Sequence, residues 1–279
     1  MKRVFAFASA LALLGALTCL SQSTQAQSAQ KIRYRASTFY KVAPEKRAAA
    51  EEFARTSGVK LTQEVVNAGR LASFSLWRTA FAGVGNEYNY IQVNEYDGAP
   101  PAALTPEARD QMYRKATGLS YQDYQQKLLS LFTPVGSSLS RVEASVPGTP
   151  PSVGSFVEIV RWKITPQHAP EYGSYIQKMV QPLNAQGVKE GRYLGWSASR
   201  SVFPGGTNAP FDATTSFLFS DLASVLPSTP ASPDQAQNNF TKVFPGQSYS
   251  GYVDEGRQLR TAVRTELWAL VAMTGFVGR

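Results

Sequence analysis

Polar and apolar positions alternate with period two from Lys31 to Val42, placing Ile32, Tyr34, Ala36, Thr38 and Tyr40 on one face and Arg33, Arg35, Ser37 and Phe39 on the other. That spacing, with its aromatics, predicts a strand. Pro44 suits the first turn of a helix through PEKRAAAEEFARTSG, which Gly58 would stop or break, and a second helical piece runs from Leu61 to Asn67 before Gly69. Two strands follow, Leu71 to Phe81 and Tyr88 to Tyr96, joined by the turn chemistry of Ala82-Gly83-Val84-Gly85-Asn86. Thr105 and Ser120 stand where helix caps belong, the latter opening QDYQQKLLSLF, and a short strand runs from Ser138 to Val146. The order is strand, helix, strand, strand, helix, strand. Pro147 to Pro151 (PGTPP) reads as a linker.

The same order returns beyond it. Phe156, Glu158, Val160, Trp162 and Ile164 alternate with Val157, Ile159, Arg161 and Lys163, and apolar residues on both faces predict a strand covered on both sides. Tyr172, Tyr175, Ile176, Met179, Val180 and Leu183 form one helical stripe, which Pro182 should kink or end. Arg192 to Phe203 and Ala213 to Leu222 pair around Pro204-Gly205-Gly206; after a Pro/Ser-rich loop Ser232 caps another helix, and Gln258 to Met273 supplies the last strand.

A single offset of 122 (191 − 69) ties the halves together, matching Lys41 with Lys163, Pro44 with Pro166, Gly69 with Gly191, Arg70 with Arg192 and Arg78 with Arg200. It also matches Phe81 with Phe203, Gly83 with Gly205 and Asn86 with Asn208. After small insertions GxSYxxY recurs at Gly118 to Tyr124 and Gly246 to Tyr252, and Arg141-Val142-Glu143 is answered by Arg264-Thr265-Glu266. Matches in one order over most of the chain point to a duplicated domain.

Composition changes the picture at the N-terminus. Lys2 and Arg3 precede an apolar run from Val4 to Leu17 and a small-residue stretch ending near Ala26, the pattern of a removable signal peptide, so an exported, periplasmic or extracellular protein is expected. Cys19, the only cysteine, falls inside that segment, so the mature chain would use neither disulfides nor thiolates. Losing Lys2 and Arg3 lowers the net charge from +8 to +6, but no dense Lys/Arg run exists, which argues against nucleic acid as a partner. No transmembrane segment is expected, and the phosphate-cradling glycine motifs are absent.

Candidate chemistry is sparse. His168 is the sole histidine, which excludes a multi-histidine metal site, and its turn between Pro166 and Pro170 favours exposure over haem ligation. Glu158, Arg264 and Glu266 alternate in register with large apolar neighbours and are expected to point inward, as a structural ion pair or, in the functional reading, a ligand anchor. First and last strands of a unit are not expected to be neighbours, so closure of a barrel would have to bring these groups together. Trp162, Tyr175, Trp196 and Trp268 would wall a ligand pocket between sheet and helices. The Tyr121/Tyr124 and Tyr249/Tyr252 pairs suit packing or pocket lining, and the repeated arginines suit carbonyl capping or an anion. Neither a metal nor a cofactor is called for by these residues.

Two consecutive βαββαβ units resemble those of the dimeric α+β barrel superfamily, and EIVRWKITPQHAPEYGSYIQKMVQPLNAQGV resembles its NIPSNAP-like and antibiotic-biosynthesis-monooxygenase-like domains. The resemblance implies an α+β fold in which two tandem ferredoxin-like units, 27–147 and 152–279 behind a signal peptide at 1–26, form one pseudo-dimeric barrel. Such families include cofactor-free monooxygenases, haem enzymes, isomerases and members of no assigned activity, so function does not follow from the fold. The leading expectation is an exported small-ligand-binding or non-catalytic barrel protein. The alternative is a cofactor-independent monooxygenase-like enzyme acting on an aromatic small molecule, and a third reading is a structural envelope protein.

Overall fold

The computed structural model describes residues 32–81, 87–205, 209–225 and 232–275. The expected signal peptide with Cys19, the turn residues Gly83, Gly85 and Asn86, Gly206 and Asn208, and the Pro/Ser-rich loop over 226–231 lie outside the described residues.

The first strand, β1 (Arg33–Lys41), leads through a 3-10 turn at Pro44–Lys46 into α1 (Arg47–Phe53) and α2 (Val59–Asn67), followed by β2 (Ser73–Phe81) and β3 (Tyr90–Asp97). Helices α3 (Pro106–Thr117) and α4 (Tyr121–Leu131) and a long strand β4 (Thr133–Val146) complete this half. The second half runs β5 (Phe156–Ile164), α5 (Ala169–Tyr175), α6 (Gln181–Lys189), β6 (Gly195–Phe203), β7 (Ala213–Phe219), α7 (Pro233–Thr241), α8 (Tyr249–Leu259) and β8 (Arg260–Thr274). Thr105, Ser120, Ser232 and Ser248 each cap a helix by accepting from the backbone N–H three residues on, as their positions predicted for the first three.

Neither Gly58 nor Pro182 ends its helix. Instead a five-residue π turn, Ala54–Gly58 in one half and Ile176–Val180 in the other, carries the chain on without a break. The two π turns are 122 residues apart, and so are α1 and α5, α2 and α6, and β2 and β6. Both α2 and α6 stop at a glycine with positive φ, Gly69 at +66° and Gly191 at +72°. There the next amide (Arg70, Arg192) reaches back to the carbonyl of Val65 or Gly187, the arrangement that lets a helix end in a left-handed residue.

All eight strands close into one antiparallel barrel in the order β1-β3-β2-β8-β5-β7-β6-β4. Each half contributes four consecutive staves, and β2–β8 and β4–β6 seal the two seams. Within each half the first and last strands are neighbours, β1 with β4 and β5 with β8, contrary to expectation. The apolar core therefore lies in three places. One cluster fills the space between the first four staves and α1 to α4, around Phe53, Phe74 and Tyr124. A second packs α5, the π turn and α8 on the later staves around Tyr172, Tyr175 and Trp196. The third lies inside the barrel and contains Phe39, Trp77, Val157 and Trp268. Covering the barrel outside and filling it inside explains why strands such as β5 are apolar on both faces.

Candidate functional site

The helix-facing layer of the first half leaves a cavity of about 440 Å³. Its floor is the outer face of β1, β2 and β3, supplying Tyr40, Phe74, Gln92, Asn94 and Tyr96; its roof is the end of α1, the π turn and α2, with Phe53, Gly58 and Leu61. Tyr113 and Tyr124 form the side wall, because Ser120 starts α4 where its Tyr124 meets α3 edge-on: the two rings are 5.0 Å apart at 78°. Phe53 lies 5.0 Å from Tyr124 on the other side. Such rigid aromatic walls favour a flat apolar ligand.

The polar groups sit on the floor. Tyr40 donates to Gln92 at 3.4 Å, the Gln92 amide donates to the Asn94 carbonyl oxygen at 3.4 Å, and the Asn94 side chain also hydrogen-bonds Tyr96. The Tyr124 hydroxyl has no hydrogen bond among the described residues and stands beside Gly58, 3.9 Å from where a Cβ would be. Burial pushes the phenols of Tyr40, Tyr96, Tyr113 and Tyr124 above their ordinary range, so at neutral pH they are hydrogen-bond donors and not bases. At the rim Arg70 donates to the carbonyl of Ala102, the capping role open to the repeated arginines.

At the corresponding positions of the second half, large side chains lie against glycines. Tyr193, the counterpart of Leu71, lies against Gly187, the counterpart of Val65, and donates to Asn184 at 2.6 Å. Tyr175 reaches over Gly256, where a Cβ would meet its hydroxyl at 2.6 Å, and stacks on Tyr252 at 5.6 Å. Trp162, Tyr175 and Trp196 thus stand together, as the sequence expected, but as packing in one cluster. Trp268 is not among them. It lies on the inner face of β8, in the barrel.

The charged candidates separate for the same reason. Glu266 faces inward and is buried, Arg264 reaches it at 2.9 Å, and the Trp268 indole donates to it at 3.3 Å. Glu158 does not join them: it pairs across the ladder with Leu267, whereas Ile159 pairs with Glu266, and a one-residue step reverses the face. The partner that sequence reasoning missed is Arg161, an inward residue of β5, 3.1 Å from Glu266, with the Tyr88 hydroxyl donating to the same carboxylate at 2.9 Å. The alternation of β5 placed Arg161 on the face opposite Glu158, but the expectation turned Glu158 inward, and nothing linked Arg161 to Glu266 before the register was known. Arg78 pairs with Glu51 and Arg200 with Glu143, each at 2.9 Å. His168 is half-buried at a 3-10 turn and does not line the cavity of the first half.

No family model and no curated protein sequence matches the chain. Solved structures do. A candidate monooxygenase from Lactobacillus acidophilus superposes with a TM-score of 0.54 at 6% identity, covering 88% of this chain and 96% of that one. Another from Fusobacterium nucleatum gives 0.55 at 10% identity over 89% and 96% of the two chains. An anthrone oxidase-like protein gives 0.50 at 10% identity over 89% and 95%. The likeness is one of fold. It fits the dimeric α+β barrel resemblance and leaves the NIPSNAP-like affinity without support.

Among the described residues, no group of three or more His, Cys, Asp and Glu side chains is placed to hold a metal ion, and no helix is long and apolar enough to cross a membrane.

Proposed function

We propose that the protein binds a planar aromatic small molecule in the helix–sheet cavity of its first half and oxidises it with dioxygen without a bound cofactor. The observation that carries this reading is the cavity itself: about 440 Å³, within the range of small-molecule sites, walled by aromatic rings and floored by carboxamides. The fold neighbours among monooxygenase-like and anthrone oxidase-like structures support it. The Asn94 amide and the Tyr124 hydroxyl are the donors that would hold the oxygen of an ionised phenol or enol, where charge builds as the substrate loses its proton. We further propose that the halves are tandem ferredoxin-like units, 27–147 and 152–279, exported behind a signal peptide at 1–26; the common offset of helices and π turns supports the first part of this reading.

The test is anthrone as substrate. Oxidation of its methylene consumes one dioxygen and yields anthraquinone and water, so the two carbon–hydrogen bonds lost appear as water and no reductant enters. Oxygen uptake matched by anthraquinone absorbance, and abolished in Gly58→Leu at unchanged circular dichroism, is the expected result. Binding of anthrone without oxygen uptake would make the protein a carrier. No binding would reject the assignment of this cavity.

A further inference from the structure

The barrel interior holds a second cavity, of about 190 Å³, separated from the first by the sheet. One end is closed by the Arg161–Glu266 pair with Tyr88, whose ring stacks on Trp268 at 5.8 Å. The other end is rimmed by Asp97, Gly148 and Thr149, all exposed.

The wall has two faces. Four adjacent staves, β7, β6, β4 and β1, turn hydroxyls inward: Ser216, Ser199, Ser138 and Ser37, none of which has a side-chain hydrogen bond among the described residues. Ser37 and Ser138 are direct cross-strand partners, and Ser199 faces Thr214. Ser199 is 3% exposed and lines the cavity. A buried hydroxyl with no partner is costly unless something enters to meet it. The opposite wall is apolar, with Ile91 and Val93 on β3, Trp77 on β2, and Val157 and Ile159 on β5.

Nearer the mouth both walls carry fixed donors and acceptors. Arg35 donates to Glu95 at 2.6 Å and to Ser197 at 3.3 Å, Ser73 donates to Glu95 at 3.3 Å, and Arg33 donates to Ser145 at 2.6 Å. At the mouth Arg33 and Arg35 stand with Glu95 and Asp97, two charges of each sign, and at the closed end Arg161 is held by Glu266, which Arg264 also reaches.

We propose that the barrel interior is a binding site for one small, neutral, polyhydroxylated ring, a pyranose sugar or cyclitol. Hydroxyls that both donate and accept, an Arg–Glu pair that orients them, and an apolar wall for the C–H face of the ring meet in one space. The volume lies below the roughly 300–1,000 Å³ of drug-sized sites, which limits the occupant to a single ring. The site is independent of the aromatic cavity.

The experiment titrates the full chain with D-glucose and with myo-inositol, followed by ligand-detected saturation-transfer NMR and tryptophan fluorescence, Trp77 being a wall residue. Saturable binding of either is expected. Ser199→Val and Ser138→Val should each weaken it about tenfold, the equivalent of one or two hydrogen bonds, with anthrone binding unaltered. Ser138 is half-buried, so its variant keeps the test valid should Ser199→Val fold poorly. Failure of both probes to saturate, binding indifferent to both substitutions, or displacement of the probe by sulfate or acetate would overturn the proposal. None of these results bears on oxygen uptake with anthrone.

Discussion

The Arg161 guanidinium lies 3.1 Å from the Glu266 carboxylate, the two coming from neighbouring staves of the barrel and showing side-chain exposures of only 7% and 0%. Arg161 also lies over the ring of Phe211, 4.4 Å from its centroid, and Glu266 takes further hydrogen bonds from Tyr88 and Trp268. A charge pair so enclosed adds little over an apolar isostere, but removing one partner strands the other.

Glu266→Gln should therefore destabilise by about 3–5 kcal/mol, since it leaves Arg161 buried without a counter-charge. Arg161→Met in the same chain should recover much of that loss. Urea unfolding of the two single variants and the double variant measures the coupling, and additive effects would show that the pair is not a unit.

Two Thr→Val substitutions should act in opposite directions. Thr215 accepts a hydrogen bond from the Trp162 indole at 2.9 Å, so Thr215→Val should cost about 1–3 kcal/mol by leaving a buried donor unpaired. The buried Thr79 hydroxyl has no partner among the described residues, so Thr79→Val should be neutral or stabilising. Thermal melts compare them directly.

Glu158 gives a pH-dependent expectation. Burial pushes its carboxyl above the ordinary range, and it has no ion pair or hydrogen bond among the described residues. The folded state therefore binds its proton more tightly than the unfolded chain, and its contribution to stability falls as pH rises from the unfolded pKa through the folded one. Glu158→Gln should raise the Tm at pH 7 and change it little at pH 3. An equal gain at both pH values would refute the assignment.

Glycine substitutions should separate the open layer from the filled one. Gly58→Ala places its methyl at ordinary contact distances, 3.7 Å from the Phe53 carbonyl oxygen and 3.9 Å from the Tyr124 hydroxyl, and should stabilise its helical segment by about 0.5–1 kcal/mol. Gly187→Ala would meet the ring of Tyr193 and should cost about 1–3 kcal/mol by overpacking. Equilibrium unfolding checks both, and similar effects at the two positions would contradict the asymmetry between the layers.

Much was legible in the chain by itself. Period-two alternation located β1 and β5, cap residues located the starts of α3, α4 and α7, and the apolar stripe from Tyr172 to Leu183 located the helical stretch of α5 and the start of α6. These follow from contacts within a few residues, which the local order of side chains specifies. The tertiary structure decided which face of each strand meets the barrel interior. In β5 and β8 both faces are apolar enough to be buried, so alternation defines two faces without saying which turns inward; that is why Glu158 parted from Glu266 and Trp162 from Trp268. Register between β5 and β8, set by partners over 100 residues apart, joined Arg161 to Glu266. The position of the cavity was decided in the same way: Tyr193 fills one layer because Gly187 leaves room beneath its ring, while Val65 and Leu71 line an open one. Whether a side chain fills a space depends on volumes brought together by the whole fold, and no local pattern encodes that.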